Sequence, residues 1–298
     1  MVKNQPILEL AWKLSGKVQG LICIELPIGR EAMDVPIKLL STDFDGTLYA
    51  DFENPPVPLC LQSLIRGLQS RGAKWVINTG RALPDLLLAL EQAELGVEPD
   101  YLVVVEREIY RRHGDKYVEA RAWNESCRRE HTQLFERITP DLSRIQQWIR
   151  ARFDARVYAD AYSPVCLQSR SNEDTDAIVE FLEEYCRSVT NLTVVRNDVY
   201  ARFSHVNYNK GSALGEIARQ LRIGPDGVLA AGDHWNDLPM LSQEFARWLV
   251  APDNAIEAVK KRVRQQQGYV SGQPHGYGVA RGVEFFLEFN HYPLSDLG

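Results

Sequence analysis

"LLSTDFDGTLYA", residues 39–50, sets two aspartates one residue apart, behind an apolar run and just ahead of a glycine. Charge is costly to bury, so two carboxylates at the end of a buried strand call for a reason. The run before them, "IKLLST" (37–42), is short and mostly apolar, as strands buried on both faces of a parallel sheet are.

Alternation follows. "LCLQSLIRGLQSRG" (59–72) carries apolar residues at helical spacing and stops at Gly72. "KWVIN" (74–78) reads as a strand, "LPDLLLALEQAELG" (83–96) as a helix with Pro84 near its first turn, and "YLVVV" (101–105) as a third strand. Strands alternating with helices predict a parallel sheet with right-handed crossovers.

The character then changes. "REIYRRHGDKYVEA" (107–120) reads as a hairpin around His113-Gly114-Asp115. Helices are predicted around 125–137 and in "TPDLSRIQQWIRARF" (139–153), the second with Thr139 as cap. Strands, a helix over 173–188 and more strands in "LTVVRNDVYARFSH" (192–205) complete a mixed block. Strict alternation then resumes with "KGSALGEIARQL" (210–221), "GVLAAGD" (227–233), a short helix in "NDLPMLSQEF" (236–245), "RWLVA" (247–251) and "NAIEAVKKRVRQ" (254–265). The Gly-rich "PHGYGVARG" (274–282) reads as a surface turn.

The simplest parse is an α/β chain: a Rossmann-like parallel-sheet core at 37–109 and 205–298, interrupted by an α+β cap domain at 110–204. Residues 1–36 form an extension. Met33 stands four residues before the first strand, so the extension is either upstream of the true start or an added N-terminal element.

Bulk properties narrow the function. Charged residues make up 25% and hydrophobic residues 45% of 298, ordinary for a globular protein, and the net charge of −6 offers no general attraction to nucleic acid or anionic membrane. No apolar stretch reaches the roughly 18 residues that span a bilayer, and Glu9 and Lys13 interrupt any signal-peptide core. Cys23, Cys60, Cys127, Cys166 and Cys186 are odd in number and contain no C-x-x-C pair, which argues against a disulfide framework or a zinc ribbon. The expectation is a soluble cytoplasmic protein.

In open α/β sheets, ligands sit beyond the carboxyl ends of the strands. Asp43 and Asp45 follow the first strand, and Thr79 and Gly80, in "INTGR", follow the second. Lys210 opens a helix, while Asp233, Asn236 and Asp237, in "AAGDHWNDLPM", follow a later strand. Singly, each has a plain explanation as turn former, helix cap or surface residue. Together they bring four carboxylates, a hydroxyl and an ammonium to equivalent points of one pattern. Converging carboxylates need neutralising, and their oxygens suit a hard cation such as Mg2+. A lysine and a hydroxyl are natural partners for phosphate oxygens, and a carboxylate nucleophile splits hydrolysis into two steps.

"DFDGTL", "NTGR", a lone lysine before a helix and "GDHWNDLPM", in this order and spacing, resemble the four signature motifs of the haloacid dehalogenase (HAD) superfamily of phosphohydrolases. The insert between the second and third motifs is similar in position to the cap of the Cof-like and sucrose-phosphatase-like branch, and "EIYRR" (108–112) with Trp123 resembles the sucrose-phosphatase side. The resemblance implies that Asp43 is the nucleophile, forming an aspartyl phosphate, and that Asp45 is the acid and base. It implies Mg2+ on the Asp43 carboxylate, the Asp45 backbone carbonyl, and Asp233 or Asp237 directly or through water. Thr79, Gly80, Lys210 and Asn236 would hold the phosphoryl group, with Gly46 leaving it room.

One departure stands out. Relatives commonly have small residues after the third strand, where Val105-Glu106-Arg107 stands here. His234 and Trp235 are bulky for their turn and either touch substrate or pack and cap the loop, and Arg81 either reaches the site or makes a structural ion pair. Trp123, Trp148, Tyr158 and Tyr162 are candidates to stack on a sugar and Arg121, Arg128, Arg156 and Arg170 to read a second anion, each also explicable as cap packing or solvated charge. The leading expectation is a Mg2+-dependent phosphatase of a small phosphorylated metabolite, a sugar phosphate first. The alternatives are a phosphomutase of phosphomannomutase type and a non-catalytic phospho-ligand-binding protein.

Overall fold

The computed structural model describes residues 34–297; the readings made for residues 1–33 lie outside them. The first alternating stretch gives β1 (Leu39–Thr42), α1 (Leu59–Ser70), β2 (Lys74–Asn78), α2 (Leu83–Gln92) and β3 (Tyr101–Val104). The hairpin β4 (Glu108–His113) and β5 (Lys116–Glu119) comes next. The inserted block holds α3 (Arg121–Ile138), α4 (Leu142–Arg150), β6 (Arg156–Tyr158), β7 (Cys166–Gln168), α5 (Asn172–Arg187), β8 (Leu192–Asn197) and β9 (Tyr200–His205). Then follow α6 (Lys210–Leu221), β10 (Val228–Ala231), β11 (Trp248–Ala251), α7 (Glu257–Gln265), β12 (Tyr269–Val270) and α8 (His275–Phe289).

The large sheet runs β12-β11-β10-β1-β2-β3-β4-β5. Its strands pair in parallel from β12 through β3, and only the hairpin is antiparallel. All four residues of β1 are buried, as its apolar run requires. Two apolar clusters cover the two faces. Leu61, Ile65 and Leu68 of α1 share one with Val279 and Val283 of α8, while Leu214 and Ile217 of α6 share the other with Val259 and Val263 of α7. Each is an i, i+3 or i+4 set from an amphipathic helix.

Two expectations are corrected. The hairpin, assigned from residue 110 to the insert, extends the large sheet. Ile109 is fully buried, and Asn124 on α3 clasps its backbone both ways, accepting from Ile109 N at 2.9 Å and donating to Ile109 O at 3.0 Å. The change of character near residue 107 marks where pairing turns antiparallel, not where the sheet ends. Likewise "PHGYGVARG" is no surface turn but the start of α8. Its glycines let the helix lie close on the sheet: a Cβ on Gly282 would come within 2.5 Å of Val250 on β11.

Smaller adjustments follow the same logic. Thr139 does not cap a helix, because its hydroxyl donates back to Phe135 O at 2.9 Å, and a single 3-10 turn at Thr139–Asp141 leads into α4. The helix expected in 236–245 is a 3-10 turn at Trp235–Asp237. In the insert, β6-β7-β9-β8 form an antiparallel sheet. α3, α4 and α5 pack on it through Leu134, Ile145, Ile149, Ile178 and Leu182, around the fully buried Phe203. No described helix is long and apolar enough to cross a membrane, and no described cysteine is in a disulfide.

Candidate active site

Strand register assembles the site. Thr42 pairs with Ala231 on one side and with Ile77 on the other. Asp43, Asn78 and Gly232 therefore leave their strands at one level. The next bonds hold the exit turns: Asp43 N donates to Ala231 O at 2.9 Å and Thr79 N to Val103 O at 2.8 Å.

Lys210 enters from the start of α6. Asn209 caps that helix, its Oδ1 accepting from Gly211 N at 2.9 Å and Ser212 N at 3.0 Å, with Ser212 Oγ reciprocating to Asn209 N. The lysine side chain is fully buried and ends 2.5 Å from Asp43 Oδ1 and 2.6 Å from Asp237 Oδ1. The second oxygen of Asp237 accepts the backbone N–H groups of Asp233 at 2.8 Å and His234 at 2.9 Å. Asp237 thus spends both oxygens on holding Lys210 and its own turn. Asp233 accepts from the Thr47 hydroxyl at 2.7 Å.

Gly46 closes the loop. Its φ is +76°, and a Cβ there would lie 2.5 Å from Asp233 Oδ2, so only glycine fits. Its carbonyl accepts from Asn254 Nδ2 at 2.8 Å and His275 Nδ1 at 2.9 Å.

The electrostatics are those of too many carboxylates around one ammonium. Burial and the Asp237 carboxylate push the Asp43 carboxyl well above its ordinary range against the pull of Lys210. Burial and Asp237 likewise push Asp233 up to about 7. Burial would lower Lys210, but Asp237 and Asp43 outweigh it and hold the ammonium charged. One oxygen each of Asp43, Asp233 and Asp237 lie within 4.8 Å of one another. An all-carboxylate set with surplus negative charge fits a hard divalent cation, and Mg2+ is one such ion.

Asp45 stands apart from this cluster. Arg81 Nε donates to its Oδ2 at 2.7 Å and Nη2 to its Oδ1 at 2.6 Å, while the guanidinium lies over the Phe44 ring. Thr79 is buried, its Oγ1 accepting from Arg81 N at 3.2 Å. Asn236 donates to Glu106 Oε1 at 3.3 Å rather than toward Asp43, and its buried Oδ1 has no partner among the described groups. A Cβ on Gly80 would lie 2.9 Å from the same Glu106 oxygen.

Glu106 itself is ion-paired to Arg202 on β9. Burial opposes its ionisation, yet Arg202 outweighs burial and holds the Glu106 carboxyl below its ordinary range. Arg107 turns away, to Ser204 Oγ at 3.2 Å and Tyr162 O at 2.8 Å.

A cavity of about 720 Å³ opens between these turns and the smaller sheet, within the size range of small-ligand sites. Asp43, Asp45, Thr79 and Arg81 line it from the large-sheet side, and Tyr158, Tyr162, Tyr200 and Asp160 from the insert.

Of the further candidates, Tyr158 and Tyr162 reach this cavity and the rest do not. Trp148 stacks on Phe181 with ring centres 3.7 Å apart, inside the insert's own core. Trp123 donates to Arg107 O at 2.7 Å and packs edge-on against Tyr208. Arg121, Arg128 and Arg170 pair with Glu125, Glu119 and Asp154. Arg156 lies over the Tyr158 ring. His234 accepts from Asp198 N at 3.1 Å and caps its turn, and Trp235 is exposed.

Sequence reasoning missed Arg202, Thr47, Asn254 and His275. Thr47 sat within the opening stretch and could have been read there. Arg202 carries no local signal, because only the return of β9 over the core brings it to Glu106.

Comparison with known proteins agrees with this picture. The family model for haloacid dehalogenase-like hydrolases matches residues 151–280. The chain is 26% identical over 285 residues to the 5-amino-6-(5-phospho-D-ribitylamino)uracil phosphatase YcsE of Bacillus subtilis, covering 85% of this chain and 97% of that protein. It is 29% identical over 258 residues to a phosphoglycolate phosphatase of Methanopyrus kandleri, covering 84% and 97%. In fold it is similar to the sucrose-phosphatase of Synechocystis sp. PCC6803, solved with sucrose and phosphate, with a TM-score of 0.62 at 20% identity over 84% of this chain and 98% of that one. A HAD/COF-like hydrolase from Plasmodium vivax gives 0.60 at 18% identity, over 86% and 98%. The resemblance expected from the motifs therefore holds.

Proposed function

We propose that this chain works as its haloacid dehalogenase-like relatives are named, as a phosphoric monoester hydrolase, and that it does so with Mg2+ through an aspartyl phosphate on Asp43. Its substrate is a small phosphorylated metabolite, a sugar phosphate first. One observation carries the reading: Asp43, which lines a metabolite-sized cavity, meets the buried Lys210 at 2.5 Å, with Asp45 two residues away.

In this reading the Asp43 carboxylate attacks phosphorus, the P–O bond to the leaving group breaks, and Asp45, carrying a proton in place of one of its two Arg81 contacts, gives that proton to the departing oxygen. Asp45 then takes a proton from water, which attacks the acyl phosphate, releases inorganic phosphate and restores the Asp43 carboxylate. Lys210 and the Thr79 hydroxyl hold phosphoryl oxygens in place. Arg81 fixes Asp45 through two hydrogen bonds. Asp43 and Asp233 would hold the cation, whose charge, when bound, would offset that of the incoming phosphate. Asp237, its oxygens already engaged, orients Lys210 and the Asp233 turn.

The test is phosphate release from sugar phosphates, phosphoglycerates, nucleotides and phenyl phosphate, with Mg2+, with EDTA, and with Asp43→Asn. Metal-dependent release that vanishes in the variant supports the reading. If no ester is hydrolysed above the Asp43→Asn background, the reading fails, and a mutase or binding role takes its place.

A further inference from the structure

Val105 and Glu106 both occupy the left-handed region, at φ +45° and +64°. For a β-branched residue followed by a charged one this is uncommon and strained. The turn is held from outside: Val105 N donates to Arg81 O and Glu106 N to Thr79 O, each at 2.9 Å, and the Val105 side chain is buried in the core. Its effect is to aim Glu106 across the cleft, where it meets Arg202 of the smaller sheet, with both side chains largely buried.

The surrounding charge is lopsided. Among the described residues, Asp43, Asp45, Asp85, Glu106 and Asp160 line the cavity against two cations, Arg81 and Arg202. Arg81 is committed to Asp45 and Arg202 to Glu106. Asp160 is anchored with its Oδ1 accepting from Tyr162 N and Ser163 N. Beyond the phosphoryl end the walls offer tyrosine faces, carboxylate acceptors and Asn197.

Resting on the phosphatase reading, we propose that Glu106 and Arg202 are the specificity-determining pair of this site, which select phosphate esters with an uncharged, hydroxyl-bearing leaving group and reject those carrying a second acidic group. A substrate hydroxyl donates to Glu106 without disturbing its pair, and tyrosine rings cover the carbon-bound faces of a polyol or sugar. Among the described residues that line the cavity, a second carboxylate or phosphate finds no uncommitted cation. To reach Arg202 it must displace Glu106, leaving that carboxylate buried, unpaired and beside a like charge. Selection is thus achieved by repulsion as much as by fit.

The experiment compares esters matched in carbon skeleton: glycerol 3-phosphate with 3-phosphoglycerate, and glucose 6-phosphate with 6-phosphogluconate. The readout is the ratio of kcat/KM, acidic over neutral, with KM and kcat resolved separately. The wild-type chain should favour the neutral member of each pair by about tenfold or more, mostly through KM. Glu106→Gln leaves Arg202 free to take a carboxylate, so the ratio should rise by about tenfold or more. A wild-type chain that hydrolyses acidic esters as well as neutral ones overturns the proposal without needing any variant. An unchanged ratio in a folded Glu106→Gln overturns the role of the pair. If no ester turns over, phenyl phosphate included, the phosphatase reading falls and takes this proposal with it.

Discussion

Arg81 holds Asp45 by both carboxylate oxygens, at 2.7 and 2.6 Å, while lying over the ring of Phe44 between the two motif aspartates. Both partners are about a third or more exposed, so the pair adds only about 0–1 kcal/mol of stability. What it does is fix the direction of a carboxylate that the proposed mechanism needs in one place. Arg81→Ala should leave the melting temperature nearly unchanged yet lower kcat by about tenfold or more. Arg81→Lys keeps the charge but loses the two-pronged geometry, and should recover only part of the rate. Turnover at the wild-type level in Arg81→Ala would remove Arg81 from the mechanism.

Asp233, raised to about 7, predicts how the metal and pH interact. A carboxyl whose folded value lies above its unfolded value lends stability that is complete below the unfolded value and lost as pH rises through the folded one. The metal-free chain should therefore lose stability between about pH 4 and 7 from this group. Mg2+ binds the ionised form, so it should raise the melting temperature more at pH 8 than at pH 5. Each kcal/mol of preferential binding corresponds to roughly 2–4 °C. Equal shifts at the two pH values would argue against Asp233 as a ligand.

Removing charge from either end of the Asp43–Lys210 contact should have opposite effects on stability. Lys210→Met strands the Asp43 and Asp237 carboxylates in a dry site and should cost about 3–5 kcal/mol. Asp43→Asn leaves Lys210 paired with Asp237 and removes a repulsion, so in EDTA at pH 8 its melting temperature should match or exceed the wild type while hydrolysis disappears. Such a site trades stability for function. Thermal unfolding of both variants checks this, and a strongly destabilised Asp43→Asn would contradict the electrostatic picture.

Much of this was legible because parallel strands advertise themselves. β1 and β2 are apolar runs ending in polar turns, and register alone then brings Asp43 level with Asn78 and Gly232. Lys210 could be singled out only by its company, since a lone lysine at a helix start reads as a surface residue until the other motif positions stand beside it. What stayed hidden depends on distant partners. Glycines 276, 278 and 282 look like loop punctuation until Pro58, Pro252 and Val250 are seen against them. The hairpin reads the same whether it pairs with β3 or with the insert, and only the register of β4 on β3, Val103 opposite Ile109 and Leu102 opposite Tyr110, decides. Arg202 lacks any pattern of its own, since its meaning is Glu106 on the other side of a cleft.

The place of β1 between β2 and β10 has a consequence in time. On the ribosome, β1 can pair with β2 almost at once, but its other edge waits until Val228–Ala231 has been made. At about 5–20 residues per second that wait is on the order of ten seconds or more. Through that interval the Asp43 loop has neither Asp233 nor Lys210 beside it, and the Gly46 carbonyl lacks His275 until almost the last of the chain has emerged. The proposed chemistry therefore waits for nearly the whole of this sequence, and until β10 arrives one edge of β1 stays unpaired.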